Sequence, residues 1–349
     1  MEAIALVVPA PLAARTGGTL YDLRLARELE ALGCPVRLLE ARGGFPDPSP
    51  EGVQELTAAL AALPDGGLAI VDGLIFGAVP ELMAMEARRL RLVALVHHPL
   101  AYEGGLAPAQ RARLMQRERG ALAHAWRVLV PSRTVRDLLI AQYGVPFLKI
   151  AVAPPGTDPA PRARGGAGPP RLLWVASLTA RKDPLTLIRA LAHLADLSWR
   201  LELVGSTERD PVTVRAVREA VSAFGFRERV EFCGELSGEE LEAAWRRADL
   251  FVSTSRFEGY GMALAEALAR GLPVVAVRGG AVAEVVPEEA ALLVPADAPA
   301  ALAVALRELV RDPGRRRRLA AAALRAGERL PSWAETARVV LHHLLRAAA

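Results

Sequence analysis

Two series of short apolar runs alternate with amphipathic segments along this chain, and the second series starts afresh at Arg171. That alternation restricts the fold to parallel sheets wrapped by helices, because parallel strands need crossover connections. In the first series strands are expected at 3–8, 35–40, 68–71, 92–97, 127–130 and 149–152. Helices are expected between them at 19–32, 53–62, 81–90, 109–123 and 134–143. The second series predicts strands at 172–176, 200–204, 230–233, 250–252, 273–276 and 291–294, separated by helical segments. From 297 the chain reads as helix, at 297–310, at 315–329 and again after Trp333. Residues 154–170, rich in proline and glycine, can hold neither element and read as a linker. The fold class is therefore α/β, two strand-helix sandwiches in succession, and ligands are expected beyond the carboxyl ends of the strands, in a cleft between the two.

A chain of 349 residues suits two domains of ordinary size, and 52% hydrophobic content is ample for buried parallel sheets. No run of about 18 uncharged apolar residues occurs, so no spanning helix is expected. The start, Met1 to Pro9, lacks the basic region of a signal peptide and reads as a core strand. Cys34 and Cys233 lack metal-binding spacing and read as buried thiols of a cytoplasmic protein. The formal charge of +4 suits an anionic ligand or a membrane surface without demanding either. Arg111, Arg113, Arg117 and Arg119, near Arg88, Arg89 and Arg91, could give weak peripheral contact with anionic lipid at the inner membrane face, although a solvated basic face is the better reading. Nucleic acid is not an expected partner, since no stacking aromatics accompany these arginines.

The segment from Ser255 to Ala276 carries the most chemistry. Glu258 lies in the turn after an apolar strand; Gly259, Tyr260 and Gly261 lead to a helix from Ala263 to Ala269, closed by Gly271 and Pro273. Amides at such a helix start, near Gly261 and Met262, form an anion site, and the carboxylates of Glu258 and Glu266 can accept hydrogen bonds from sugar hydroxyls. Phosphate and sugar recognised together point to a nucleotide sugar. Upstream, Arg181 and Lys182 sit in a loop between a strand and a helix that begins near Pro184, where two cations can grip a diphosphate. Lys149 and Lys182 are the only lysines.

Near the N-terminus, Arg15-Thr-Gly-Gly-Thr-Leu-Tyr-Asp22 opens a helix, and Gly17 and Gly18 would expose amides to a ligand. The loop lacks the G-x-G-x-x-G pattern, which argues against a dinucleotide-binding dehydrogenase. His97 ends an apolar strand, with His98 and Glu103 close by in sequence.

Together these segments resemble the family 4 glycosyltransferases with the GT-B fold. The resemblance is dense from Arg171 to Pro295 and sparser before it. It implies two Rossmann-like domains facing each other across a cleft: an acceptor-binding domain at 1–160, a donor-binding domain at 170–330 and a helix at 331–349 crossing back to the first. It implies a retaining hexosyltransferase using a nucleoside-diphosphate sugar, with no further cofactor. The acceptor is left open among a saccharide, a lipid head group and a small metabolite. Arg181 and Lys182 would hold the diphosphate, Glu258 the donor sugar and Glu266 the ribose; Gly205 would face the nucleotide, and His97 would lie near the anomeric centre. The chain departs from the family at Ser177, where many relatives carry arginine. No Asp-x-Asp sequence occurs; with lysine and arginine available for the diphosphate, the enzyme is expected to be metal-independent and to hold no metal site. A same-fold nucleotide-sugar epimerase and a non-catalytic sugar-nucleotide-binding protein are the alternatives.

Overall fold

The structure, a computed structural model, describes residues 3–13, 16–166 and 168–345. It contains two compact units, Met1–Gly156 with Pro331–Ala349, and Thr157–Leu330.

The first unit is built on β1 (Ile4–Pro9), β2 (Val36–Ala41), β3 (Leu68–Asp72), β4 (Arg91–Leu95), β5 (Arg127–Val130) and β6 (Ile150–Val152). These strands form one parallel sheet in the order β2-β1-β3-β4-β5-β6. Its helices are α1 (Gly17–Ala31), α2 (Pro50–Ala61), α3 (Gly73–Phe76), α4 (Pro80–Glu86), α5 (Pro108–Ala123) and α6 (Arg133–Tyr143). The second unit contains β7 (Arg171–Val175), β8 (Arg200–Val204), β9 (Val230–Gly234), β10 (Leu250–Ser253), β11 (Val274–Val277) and β12 (Ala291–Val294). They too are parallel, in the order β12-β11-β10-β7-β8-β9. Around them lie α7 (Pro184–Ala192), α8 (Pro211–Ala223), α9 (Gly238–Arg247), α10 (Met262–Ala269), α11 (Val282–Val285), α12 (Pro299–Arg311) and α13 (Pro313–Gly327).

Local chemistry sets many of these boundaries. Proline opens α2, α4, α5, α7, α8, α12 and α13, where its missing N–H would have had no helical partner anyway. Ser132 caps α6 by accepting from the Val135 amide, and Gly144 ends that helix at φ 69°. In the second sheet, side chains alternate between two buried faces. Leu172, Trp174, Leu250, Val252, Val275 and Val277 join one core cluster, whereas Leu173, Phe251, Val274 and Ala276 join the other. Covering both faces explains why the strands read as continuous apolar runs. Each fully buried large side chain, such as Trp174 or Trp199, contributes about 2–3 kcal/mol.

The last helix, α14 (Trp333–Leu345), belongs to the first unit. Trp333 packs edge-on against Tyr21 at 5.5 Å between ring centroids, and Thr336 Oγ1 donates to the Pro154 carbonyl at 2.6 Å. Gly156 lies so close to the Trp333 backbone that a Cβ there would clash.

Three expectations change. The helix expected at 81–90 stops at Glu86; the chain then turns through Arg89, whose guanidinium binds the Leu60 and Leu63 carbonyls and the Glu86 carboxylate. The strand expected to reach His97 ends at Leu95; Val96 still donates to the Leu129 carbonyl, so His97 is the first residue past the ladder. The segment 154–170 holds no helix or strand, but much of it is docked: the Ala163 and Arg164 amides donate to the Arg270 and Arg246 carbonyls. The basic face is also partly tied down, since Arg113 and Arg117 pair with Asp47 and Arg91 donates to the Gly66 carbonyl. Among the described residues, no helix is long and apolar enough to cross a membrane.

Candidate functional site

In the second sheet the chain runs from β7 outward to β9, then returns to β10 and proceeds the other way. Neighbouring strands β7 and β10 therefore form the topological switch point, where their following loops diverge and leave room for a ligand. These loops, 176–183 and 254–261, carry Arg181 and Lys182 on one side and Glu258 on the other. They are laced together. Trp174 Nε1 donates to Thr254 Oγ1 at 3.2 Å, and that hydroxyl donates to the Lys182 carbonyl at 2.9 Å. The Arg256 amide donates to the Arg181 carbonyl at 2.9 Å, and Arg181 Nη1 to the Phe257 carbonyl at 3.0 Å. Asp183 turns the chain into α7 in a left-handed conformation, φ 49°, and accepts from the Thr186 amide and from Arg256 Nε. Such a conformation is uncommon outside glycine, and these bonds hold it in place.

Lys182 Nζ lies 2.7 Å from Glu258 Oε1, although 76 residues separate them. Glu258 is 8% exposed. Burial alone would raise its pKa; the Lys182 and Arg181 charges, with hydrogen bonds from Lys182 and Ser255, outweigh that and hold it below the usual carboxylate range. Glu258 is thus ionised with its partner in place. Behind it, Gly279 and Gly280 form a cradle. A Cβ at Gly279 would stand 2.6 Å from the Ser255 and Arg256 carbonyl oxygens, and one at Gly280 would strike the Glu258 backbone. This glycine pair therefore positions the Glu258 loop. Gly205, at φ 142°, plays a similar part: a Cβ there would collide with the Ala176 carbonyl, so its bareness serves loop packing at the ends of β7 and β8.

Gly261, at φ 101°, stands at the N-cap of α10, and no side chain caps that first turn. Gly259 is buried just before it, and Met262 opens the helix half-exposed. Tyr260 packs its ring into the core; burial first, then Glu284, pushes its phenol up to about 12. One turn beyond Met262 comes Glu266. Burial raises this carboxyl to about 7, with Asp158 and Glu242 adding to the rise and Arg270 opposing it. Arg270 is itself held by Glu242 at 2.6 Å and stacks over Trp245. Among the described residues, no side chain or amide donates a hydrogen bond to the Glu266 carboxylate. This half-buried acid, one turn into α10, thus has acceptor capacity left open.

In the first sheet the switch point lies between β1 and β3. Gly17 and Gly18 open α1 there, and Arg15 lies outside the described residues. Gly18 faces the His97 ring closely enough that a Cβ would be 3.0 Å from its Cδ2. His97 Nε2 is 2.9 Å from Asp22 Oδ1 and 3.3 Å from Asp72 Oδ2. Burial would lower the imidazole pKa, but the two carboxylates win and hold it above the ordinary range. His97 Nε2 is therefore engaged by two carboxylates. Beside it, His98 Nε2 approaches Glu103 Oε2 at 3.2 Å, and the buried Glu118 accepts from the Leu100 amide at 2.9 Å, anchoring this loop from behind.

Sequence reasoning did not single out Asp22 or Asp72. A signal existed: Asp72 closes the apolar run 68–71 directly before Gly73, and Asp22 sits among the core-facing residues Tyr21, Leu25 and Ala26 of α1.

Known proteins share the two-sheet fold. The family described as Glycosyl transferases group 1 matches residues 169–312, and Glycosyltransferase Family 4 matches 71–161. A D-inositol 3-phosphate glycosyltransferase of Xylanimonas cellulosilytica is 32% identical over 68% of this chain and 60% of its own length. One from Arthrobacter sp. (strain FB24) is 30% identical over 75% of this chain and 67% of its own. The matched region thus spans about 60% of the first such relatives. Among solved structures, the sucrose-phosphate synthase of Thermosynechococcus elongatus covers 100% of both chains with a TM-score of 0.85 at 22% identity. Anabaena HepE in complex with UDP-glucose covers 99% of both chains with a TM-score of 0.78 at 18% identity. At these identities the structural likeness is one of fold. With the sequence relatives it places this chain among the GT-B-fold glycosyltransferases related to family 4.

Proposed function

We propose that this chain transfers a hexose from a nucleoside-diphosphate sugar to an acceptor hydroxyl with retention of anomeric configuration. The observation that carries this reading is the convergence of Arg181, Lys182, Glu258 and the uncapped start of α10 at one switch point, with Glu266 one turn on. Nucleotide-sugar use is supported by the UDP-glucose complex of HepE.

Breaking the sugar–phosphate bond leaves a diphosphate anion and an electron-poor anomeric carbon. Arg181, Lys182 and the amides from Gly261 to Ala263 supply fixed positive charge for that anion. Lys182 then divides its three N–H groups between the Glu258 carboxylate and a phosphate oxygen. Glu258 accepts from donor-sugar hydroxyls with its other oxygen, and Glu266 accepts from both ribose hydroxyls. The leaving phosphate oxygen takes the acceptor proton on the face it departs from, so the new bond forms with retention. With these cations present the diphosphate needs no metal ion. The second unit is the donor-binding domain and the first the acceptor-binding domain; the His97 loop orients the acceptor through its backbone and the His98–Glu103 pair.

A panel of nucleoside diphosphates and their sugars, scored by melting temperature, tests this reading. One nucleotide should stabilise the full chain, and its sugar should be consumed only with an acceptor added. Consumption without acceptor would favour the epimerase. Absence of affinity for any nucleotide in the panel would overturn the reading.

A further inference from the structure

Asp22, Asp72 and His97 come from three separate elements: the second turn of α1, the end of β3 and the loop just past β4. Each turns a donor atom to one place, and the three atoms lie within 4.8 Å of one another. We infer that these residues form a binding site for one divalent transition-metal cation, of the Zn2+ or Mn2+ class, that ties the start of the first unit together. The inference is independent of the donor reading.

Four observations carry it. The Asp22 and Asp72 side chains are 0% and 5% exposed, so two carboxylates share a place largely shut off from water. An imidazolium balances one of them and a proton shared by the two carboxyls the other, whereas a divalent ion with neutral imidazole would replace both protons. Asp22 Oδ2 is buried and has no hydrogen-bond donor among the described residues. The separations suit a shared ion. Donors about 2.1 Å from a metal lie about 3.0 Å apart at right angles and about 3.4 Å apart in a tetrahedron; His97 Nε2 is 2.9 Å from Asp22 Oδ1 and 3.3 Å from Asp72 Oδ2.

The surroundings hold these ligands in place. Asp72 Oδ1 accepts from the Leu74 amide at 2.7 Å, which leaves Oδ2 turned to His97. The His97 ring lies between Gly18 and the edge of Tyr21, 5.1 Å between centroids. Outer contacts of this kind orient ligands in metal sites. One imidazole with two carboxylates favours Zn2+ or Mn2+ over Mg2+ or Ca2+, which take all-oxygen sets. The ion would clamp α1 to the ends of β3 and β4, a structural role in the first unit separate from the diphosphate chemistry of the second.

Full-length protein, stripped with a chelator and dialysed, is titrated with Zn2+ and separately with Mn2+ by calorimetry, with melting temperature as a second readout. We expect one equivalent bound at micromolar affinity or tighter and a melting point raised by several degrees. Asp72→Asn keeps an oxygen to cap α3 and should weaken binding at least tenfold while circular dichroism stays unchanged; His97→Gln should do the same. His342→Ala, remote in sequence, should bind as wild type. Absence of stoichiometric binding, or equal affinity in wild type, Asp72→Asn and His97→Gln, would overturn the inference.

Discussion

Replacing Glu266 by glutamine should make the fold more stable while crippling nucleotide binding. In the folded protein this carboxyl is raised from 4.5 to about 7, burial being the main cause. Between those pH values the folded state holds a proton that the unfolded chain has released. Stability therefore falls as pH rises through that window, and the loss is complete above about 7. At about 1.4 kcal/mol per pH unit, the full effect is on the order of 3 kcal/mol. Glu266 is only half-buried, and solvent screening reduces this to about 1–2 kcal/mol. Glutamine keeps the shape without the charge, so at pH 8 the variant should melt about 2–8 °C above wild type. The two melting points should converge toward pH 5. The same substitution removes the charged acceptor proposed for two ribose hydroxyls, and nucleoside diphosphate should bind at least tenfold more weakly. Calorimetry near pH 7 should also show proton release on nucleotide binding to wild type, since hydroxyl donors favour the ionised acid, and none in the variant. Melting curves that shift in parallel from pH 5 to 8, together with unchanged nucleotide affinity, would refute this account.

Lys182→Ala leaves the Glu258 carboxylate buried without its closest cation. A stability loss of about 3–5 kcal/mol is expected, together with weaker diphosphate binding. The double variant Lys182→Met, Glu258→Gln should regain most of that stability in denaturant titrations but not the turnover; recovery of turnover would show that neither charge is used. Gly280→Ala should displace the Glu258 loop, because its Cβ meets that backbone and its φ of 61° disfavours a side chain. The measurement is kcat against donor KM, and wild-type values for both would remove the glycine cradle from the argument.

How much was legible beforehand differs between elements. The strands 200–204 and 291–294 occur with the boundaries their apolar runs suggest, because strand identity depends on neighbours within a few residues. The start of α7 was marked by Pro184 for the same reason. The places of Arg181, Lys182, Glu258 and Glu266, just beyond strands or at a helix start, followed from that local pattern. The orientation of Tyr260 was not legible, since a tyrosine in a glycine-rich loop gives no sign of whether its ring turns inward; the packing of α10 decided it.

The chain's local periodicity determined its class: two parallel α/β sheets, helices on both faces, and chemistry at the strand ends. Tertiary structure alone decided which strand ends adjoin. Only the order β10-β7 brings Lys182 to Glu258, and only the order β1-β3-β4 brings Asp22, Asp72 and His97 to one place. Periodicity is a property of residues a few positions apart, whereas charge pairing at 3 Å depends on how distant segments stack, and distance along a chain carries no record of that.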